Sequence, residues 1–362
     1  MNGISRILSL PRLVPLAALV FFGAIHFFSP DSHGSGPGLI VSLLILPVLL
    51  ATVLAAVYHA EKIAHTIGEP YGTLVLTLSV TVIEVALIMS VMLSDHGEAT
   101  MARDTVFSVI MIVCNLLVGL CILLGGIRYG QQDFEVEGAS AYLAVLTALS
   151  VLTLVLPNYT QNAGPTLTNL QLEFEAVVTI LLYAAFLYIQ TVRHTEHFTE
   201  VGAGPLSAEE RKPAPRKATF FLLVSLAAVI LLAETFAEAV KSGLSYVGGP
   251  AALAGFIVAL LILLPEGITA LRASRNNELQ RSLNLALGSS LATIGLTVPA
   301  VAVISLYLRT DLVLGLSPTS TVLLTLTILI STLTFGRGRT NILYGFVHLI
   351  IFATYIFLIF EP

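Results

Sequence analysis

The chain has 362 residues, 56% hydrophobic and 11% charged, with a mean hydropathy of +0.92 and a formal net charge of −5. A soluble globule is excluded, and apolar runs of about 20 residues, in place of alternating strands of about ten, exclude a membrane barrel. The net charge says little about partners, because most charges sit in short loops, and no nucleic-acid partner is expected; where the charges fall along the chain is more informative.

The first apolar run, 13–28, follows Arg6 and Arg12 and closes on His26-Phe27-Phe28-Ser29-Pro30 without an A-x-A cleavage site. It reads as an uncleaved first helix. Further runs fall at 38–58, 72–93, 105–125, 139–156, 173–192, 218–240, 251–271, 283–307, 312–333 and 342–360, giving about 11 transmembrane helices in an all-α polytopic protein. Cys114 and Cys121 share one apolar run and read as small hydrophobes, with no disulfide or metal-ligand spacing.

The third run carries one ionisable side chain, Glu84. Counted from Gly72 at about 1.5 Å per residue, its carboxyl lies about 18 Å into a hydrocarbon core about 30 Å thick, near the midplane. An ionised acid there costs at least about 2.5 to 3.5 kcal/mol, so it needs a partner, a wet cavity or a proton. The eighth run repeats the arrangement with Glu266. Gly68-Glu69-Pro70 precedes the first acid and Gly248-Gly249-Pro250 the second. Farther upstream, helices are expected to end on Ala60-Glu61-Lys62-Ile63 and Ala237-Glu238-Ala239-Val240. The order occurs twice, which is an internal repeat.

With a cytoplasmic N-terminus and every run crossing, the inner side holds Arg6, Arg12, Lys62, Arg128, Arg193, Arg211, Lys212, Arg216, Lys217, Arg272, Arg275, Arg281, Arg337 and Arg339. Of the 17 basic residues only Arg103, Lys241 and Arg309 fall outside. This positive-inside asymmetry supports the count and puts the C-terminus outside. The chain then divides into an N-terminal segment with the first helix (1–37), a five-helix half (38–192), a mixed-charge cytoplasmic linker (193–217) and a second five-helix half (218–362). His194 and His197 read as part of that solvated linker. Five is odd, so the second half enters the membrane in the opposite sense. Such inverted repeats bring equivalent helices together near the midplane, which predicts that Glu84 and Glu266 are neighbours.

Paired carboxylates there hold either a metal ion or protons, and that competition is an exchange mechanism. Carboxylate oxygens suit calcium, which takes six to eight oxygens, and less selectively sodium or potassium. Supporting oxygens are expected from Thr77, Thr81, Asn115, Ser289, Ser290, Thr293 and the Leu261 carbonyl, which Pro265 frees by lacking an N–H. Back-bonding to the preceding turn is the ordinary alternative for the hydroxyls. Glu61, Glu234 and Glu238 are gate candidates near helix ends, whereas Glu173 and Glu175 read as solvated helix caps. The lipid bilayer and the transported ions are the expected partners; no cofactor is expected and oligomerisation is left open.

At these residues the chain resembles the calcium/cation antiporter superfamily, in particular its bacterial calcium/proton and sodium (potassium)/proton antiporter branch. The resemblance covers nearly everything after the first run. It rests on GEPYGTLVLTLSVTVIEVALI with MARDTVFSVIMIVCNLLVG, on GFIVALLILLPEGITAL with NNELQRSLNLALGSSLATIGLTVP, and on GRTNILYGFVHLIIFATY. It implies a proton-coupled exchanger in a bacterial plasma membrane that exports calcium in exchange for protons, with sodium or potassium exchange on the same scaffold as the alternative, and with Glu84 and Glu266 as the two deep acids. Better-known calcium/proton members place Gly-Asn before each acid, where this chain has Val80-Thr81 and Ile262-Leu263, and a glutamine near Ala292 is replaced. Calcium and monovalent substrates both stay open. Two other readings are weaker. A passive channel would form its pore by oligomerising around a ring of charge. A hydrolase using Ser289 and His348 lacks a nucleophile elbow.

Overall fold

The computed structural model describes residues 2–28, 39–68, 71–93, 99–160, 164–193, 215–310 and 312–361. In chain order the helices are α1 (Asn2–Phe28), α2 (Leu39–Ile67), α3 (Tyr71–Leu93), α4 (Met101–Met111), α5 (Val118–Tyr129), α6 (Val136–Ser150) and α7 (Asn169–Tyr188). They continue with α8 (Arg216–Val247), α9 (Ala252–Arg275), α10 (Leu279–Ala292), α11 (Val298–Leu308), α12 (Pro318–Phe335) and α13 (Ile342–Phe360). Single π-helical turns at Ile112–Leu117 and Thr293–Thr297 join α4 to α5 and α10 to α11, so each pair forms one span. Among the described residues, 11 helical spans are long and apolar enough to cross a membrane, as the runs predict. Most of the expected linker, with His194 and His197, lies outside the described residues.

Helix ends differ from the expectation at one recurring place. The tetrads around Glu61 and Glu238 lie inside α2 and α8, because polar side chains do not by themselves end a helix. The ends come at glycines in the left-handed region, Gly68 at φ 70° and Gly248 at φ 65°. There the missing Cβ removes the steric penalty that other residues would meet.

The described residues form two units, one drawn from 1–98 and 205–254 and the other from 99–204 and 255–362. In the first, α2 packs along α8, and both meet α1 and α3. His59 near the end of α2 stacks on Phe221 near the start of α8, with ring centroids 5.5 Å apart, so these equivalent helices of the two repeats run antiparallel. Gly72 lets α3 fold back against α2; a Cβ there would sit 2.7 Å from the Ala64 carbonyl oxygen.

The second unit interlocks the repeats. The fourth span packs antiparallel to α13, with Gly119 against Gly345 and Ser108 Oγ 2.6 Å from Tyr355 Oη. The ninth span packs in the same way on α7, where Gly295 accommodates the Tyr183 ring. The third helix of each repeat thus lies on the fifth helix of the other. In lipid, where burying apolar surface between helices gains little over the acyl chains, small residues that admit close backbones supply much of the cohesion. A short ribbon, β1 (Gln131–Asp133) with β2 (Arg339–Asn341), pairs antiparallel in the register Gln132↔Thr340.

Both central π-turns sit in the third helix of a repeat. Pro299 accounts for the one at Thr293–Thr297: its ring removes the hydrogen bond to the Gly295 carbonyl, and the backbone widens just before it.

Candidate functional site

In the first unit, Glu84 sits midway along α3 and is 1% exposed. Leu74, Leu78 and Val82 are exposed and form a stripe at helical spacing, and two residues turn a helix by about 200°, so Glu84 faces away from that stripe. It shares its buried side with Ile83, Leu87 and Ile88. Thr81 is buried one turn before it and Thr77 is half-buried two turns before. The Thr81 hydroxyl donates to the Thr77 carbonyl at 2.9 Å, the back-bonded arrangement, which leaves the oxygen's lone pairs available to a cation.

The gate candidates of this unit are not brought to Glu84. Glu61 is exposed on α2, three residues before the Ala64 that touches Gly72; because α3 folds back along α2, this puts it about 14 Å along the helix direction from Glu84. On α8, Glu234 is exposed and Glu238 half-buried.

In the second unit, Glu266 is half-buried on α9, and its Oε2 is shut off from solvent. Its neighbour Gly267 presses on Leu117 at the end of the Ile112–Leu117 π-turn, where a Cβ would come 3.0 Å from Leu117 Cδ2. Pro265 is accommodated in an unbroken α9, so the buried Leu261 loses the N–H that would otherwise meet its carbonyl. The Ser282 hydroxyl donates to the Ala270 carbonyl at 2.7 Å and fixes α10 on α9 one turn past Glu266. Ser289, Ser290 and Thr293 follow about two to three turns on along α10. Ser290 back-bonds to Leu287 at 2.8 Å and Thr293 to Ser289 at 3.2 Å. The structure therefore brings α9, α10 and the Asn115 π-turn together around one stretch of the unit.

Asn115 is fully buried, but its amide serves a network of its own. Its Oδ1 accepts from His348 Nδ1 at 3.2 Å and its Nδ2 donates to Thr327 Oγ1 at 2.9 Å, while His348 Nε2 meets Thr334 Oγ1 at 3.0 Å. His348 and Ser289 have no contact of the kind a nucleophile and base require. The polar character of Thr327, Thr334 and His348 in apolar runs was the only sequence sign of this network.

Glu175 corrects an expectation. Glu173 is exposed, as a cap-region acid would be, but the α7 cap is a Thr168–Gln171 capping box, and Glu175 falls on the next turn. It shares the buried face with Leu172, Ala176 and Thr179 and is 8% exposed. Both its oxygens lack a hydrogen-bond partner, and the Thr153 hydroxyl beside it does not close one. Among the described residues, no three His, Cys, Asp or Glu side chains gather as a metal cluster.

Comparison with known proteins matches the chain to one family. The model described as sodium/calcium exchanger protein matches residues 36–192 and 217–361. A putative ionic transporter of Sinorhizobium fredii is 44% identical over 323 residues, 88% of each chain. The sodium-potassium/proton antiporter ChaA of Escherichia coli K12 is 37% identical over 354 residues, 96% of this chain and 95% of that one. A Ca(2+)/H(+) antiporter of Aphanothece halophytica is 25% identical over 93% of this chain and 94% of that one. The fold matches native YfkE with a TM-score of 0.72 at 18% identity, covering 97% of this chain and 100% of that one. It also matches the H+/Ca2+ exchanger CAX with a TM-score of 0.68 at 16% identity, covering 96% of this chain and 88% of that one.

Proposed function

Because this chain belongs to the sodium/calcium exchanger protein family, a family of cation exchangers and not of enzymes, we propose that it exchanges sodium or potassium for protons by alternating access. Glu84 and Glu266 each alternate between a proton and the transported cation. Glu84 is the observation that carries the reading: a carboxyl 1% exposed, halfway along a membrane-spanning helix, on the side turned from its lipid-facing stripe. An acid so placed is costly unless it binds something.

The monovalent substrate is favoured by the oxygens at hand. Calcium takes six to eight. Here the Asn115 amide is engaged by His348 and Thr327, and Val80-Thr81 and Ile262-Leu263 supply no side-chain amide before either acid. The 37% identical relative bears a sodium-potassium/proton name over nearly its whole length. Calcium export is the second reading, favoured by the Ca(2+)/H(+) antiporter that aligns over 93% of the chain. The bacterial relatives favour a bacterial plasma membrane location, and the charge asymmetry of the loops favours a cytoplasmic N-terminus and an outside C-terminus.

The test is transport in proteoliposomes under an imposed pH gradient, with sodium, potassium and calcium supplied separately. The gradient is expected to drive sodium or potassium against its own gradient. Cation flux indifferent to the pH gradient would overturn antiport, and uptake of calcium alone would establish the second reading.

A further inference from the structure

In the first unit, α1, α2 and the start of α8 line an open cavity of about 260 Å³ bordered by Arg12, His59, Lys62, Arg216 and Lys217, the four cations being exposed. We propose that this cavity binds the phosphate headgroup of an anionic phospholipid such as phosphatidylglycerol.

Four cationic side chains meet in one small concavity, and among the described residues none of them forms an ion pair or hydrogen bond. Like charges lining one concavity repel, and an anion between them relieves the repulsion. The cavity also opens on the N-terminus of α8. That 32-residue helix begins after Pro215 with no side-chain cap, so its first N–H groups lie beside the concavity as donors.

His59 is the buried member of the lining. It is 2% exposed, and its ring is held by stacking on Phe221 and by Nε2, 3.1 Å from the Pro11 carbonyl. A carbonyl oxygen only accepts, so the hydrogen resides on Nε2. That leaves Nδ1, buried and without a partner, as an acceptor. A phosphate in the cavity satisfies the cations and the first N–H groups of α8 together.

The position selects a lipid over a soluble phosphate. Arg12, Lys62, Arg216 and Lys217 stand at span ends, on the side to which the loop charges assign the cytoplasm. Apolar side chains continue from them along the helices: Leu13 is 60% exposed and Leu16 44% on α1, and Phe220 is 59% exposed on α8. A headgroup in the cavity would lay its acyl chains along these surfaces.

The experiment uses the full chain, stripped of lipid in detergent. Thermal unfolding and native mass spectrometry are followed on adding phosphatidylglycerol, phosphatidylcholine of equal chain length, or glycerol 3-phosphate. Phosphatidylglycerol is expected to be retained and to raise the unfolding temperature, with phosphatidylcholine and glycerol 3-phosphate giving little. The Arg12→Gln, Lys62→Gln double variant should bind phosphatidylglycerol roughly tenfold or more weakly. Lys241→Gln, which removes a charge away from the cavity, should not change binding. Equal stabilisation by the two lipids, or undiminished binding by the double variant, overturns the proposal. Full stabilisation by glycerol 3-phosphate alone overturns its lipid part. Should the double variant fail to fold, the comparison of the three compounds on the unaltered chain still decides.

Discussion

Gly119 and Gly345 meet backbone to backbone: a Cβ on the first would sit 3.1 Å from the carbonyl oxygen of the second, and a Cβ on the second 3.0 Å from that of the first. The contact sets how closely the fourth span and α13 approach, and through them the Asn115–His348 network. Gly345→Val is expected to force the helices apart and lower stability by about 1 to 3 kcal/mol, the usual cost of overpacking. Thermal unfolding in detergent checks this. An unchanged midpoint would mean the helices do not rely on the close approach.

Removing the deep charges should separate transport from folding. Glu84→Gln and Glu266→Gln keep the side-chain shape and are each expected to abolish proton-coupled exchange while leaving the protein in the membrane. Exposed Glu61 lies about 14 Å along from Glu84, so Glu61→Gln should only slow transport. Vesicle flux measurements at matched protein content decide both points, and substantial exchange by either deep variant would remove that acid from the mechanism.

Asn115 and His348 are joined at 3.2 Å with no exposure to solvent. Truncating either one leaves the other's buried polar group unsatisfied, at about 1 to 3 kcal/mol. Asn115→Ala and His348→Ala should therefore be strongly non-additive, and a double-mutant cycle on unfolding free energy should give a coupling of about 0.5 to 3 kcal/mol. Simple additivity would show that the two side chains do not act together.

Glu175 has no hydrogen-bond partner for either oxygen. A buried polar group in that state costs free energy that an apolar side chain of similar volume does not. Glu175→Leu is expected to raise stability by about 1 to 3 kcal/mol. A clear loss of stability on denaturation would instead reveal that the carboxyl binds a partner in the membrane.

The span count, the repeat and the two deep acids were legible in the sequence because each depends on a local rule. A bilayer demands about 20 consecutive apolar residues, penalises a charge among them and sorts basic loops to one side. Glu84 and Glu266 stand out under those rules with no knowledge of their neighbours. Helix ends were less legible: the tetrads at Glu61 and Glu238 looked like termini, yet the chain turned at Gly68 and Gly248, where backbone sterics allow a left-handed residue. Only the tertiary structure decided which face of a helix meets another. It buried Glu175 beside Thr153, tied Asn115 to side chains more than 200 residues away, and gathered Arg12, Lys62 and Arg216 from three helices around His59. Those outcomes depend on pairs of residues far apart in the chain. A hydropathy pattern records how apolar each helix is but not which partner its polar atoms will find.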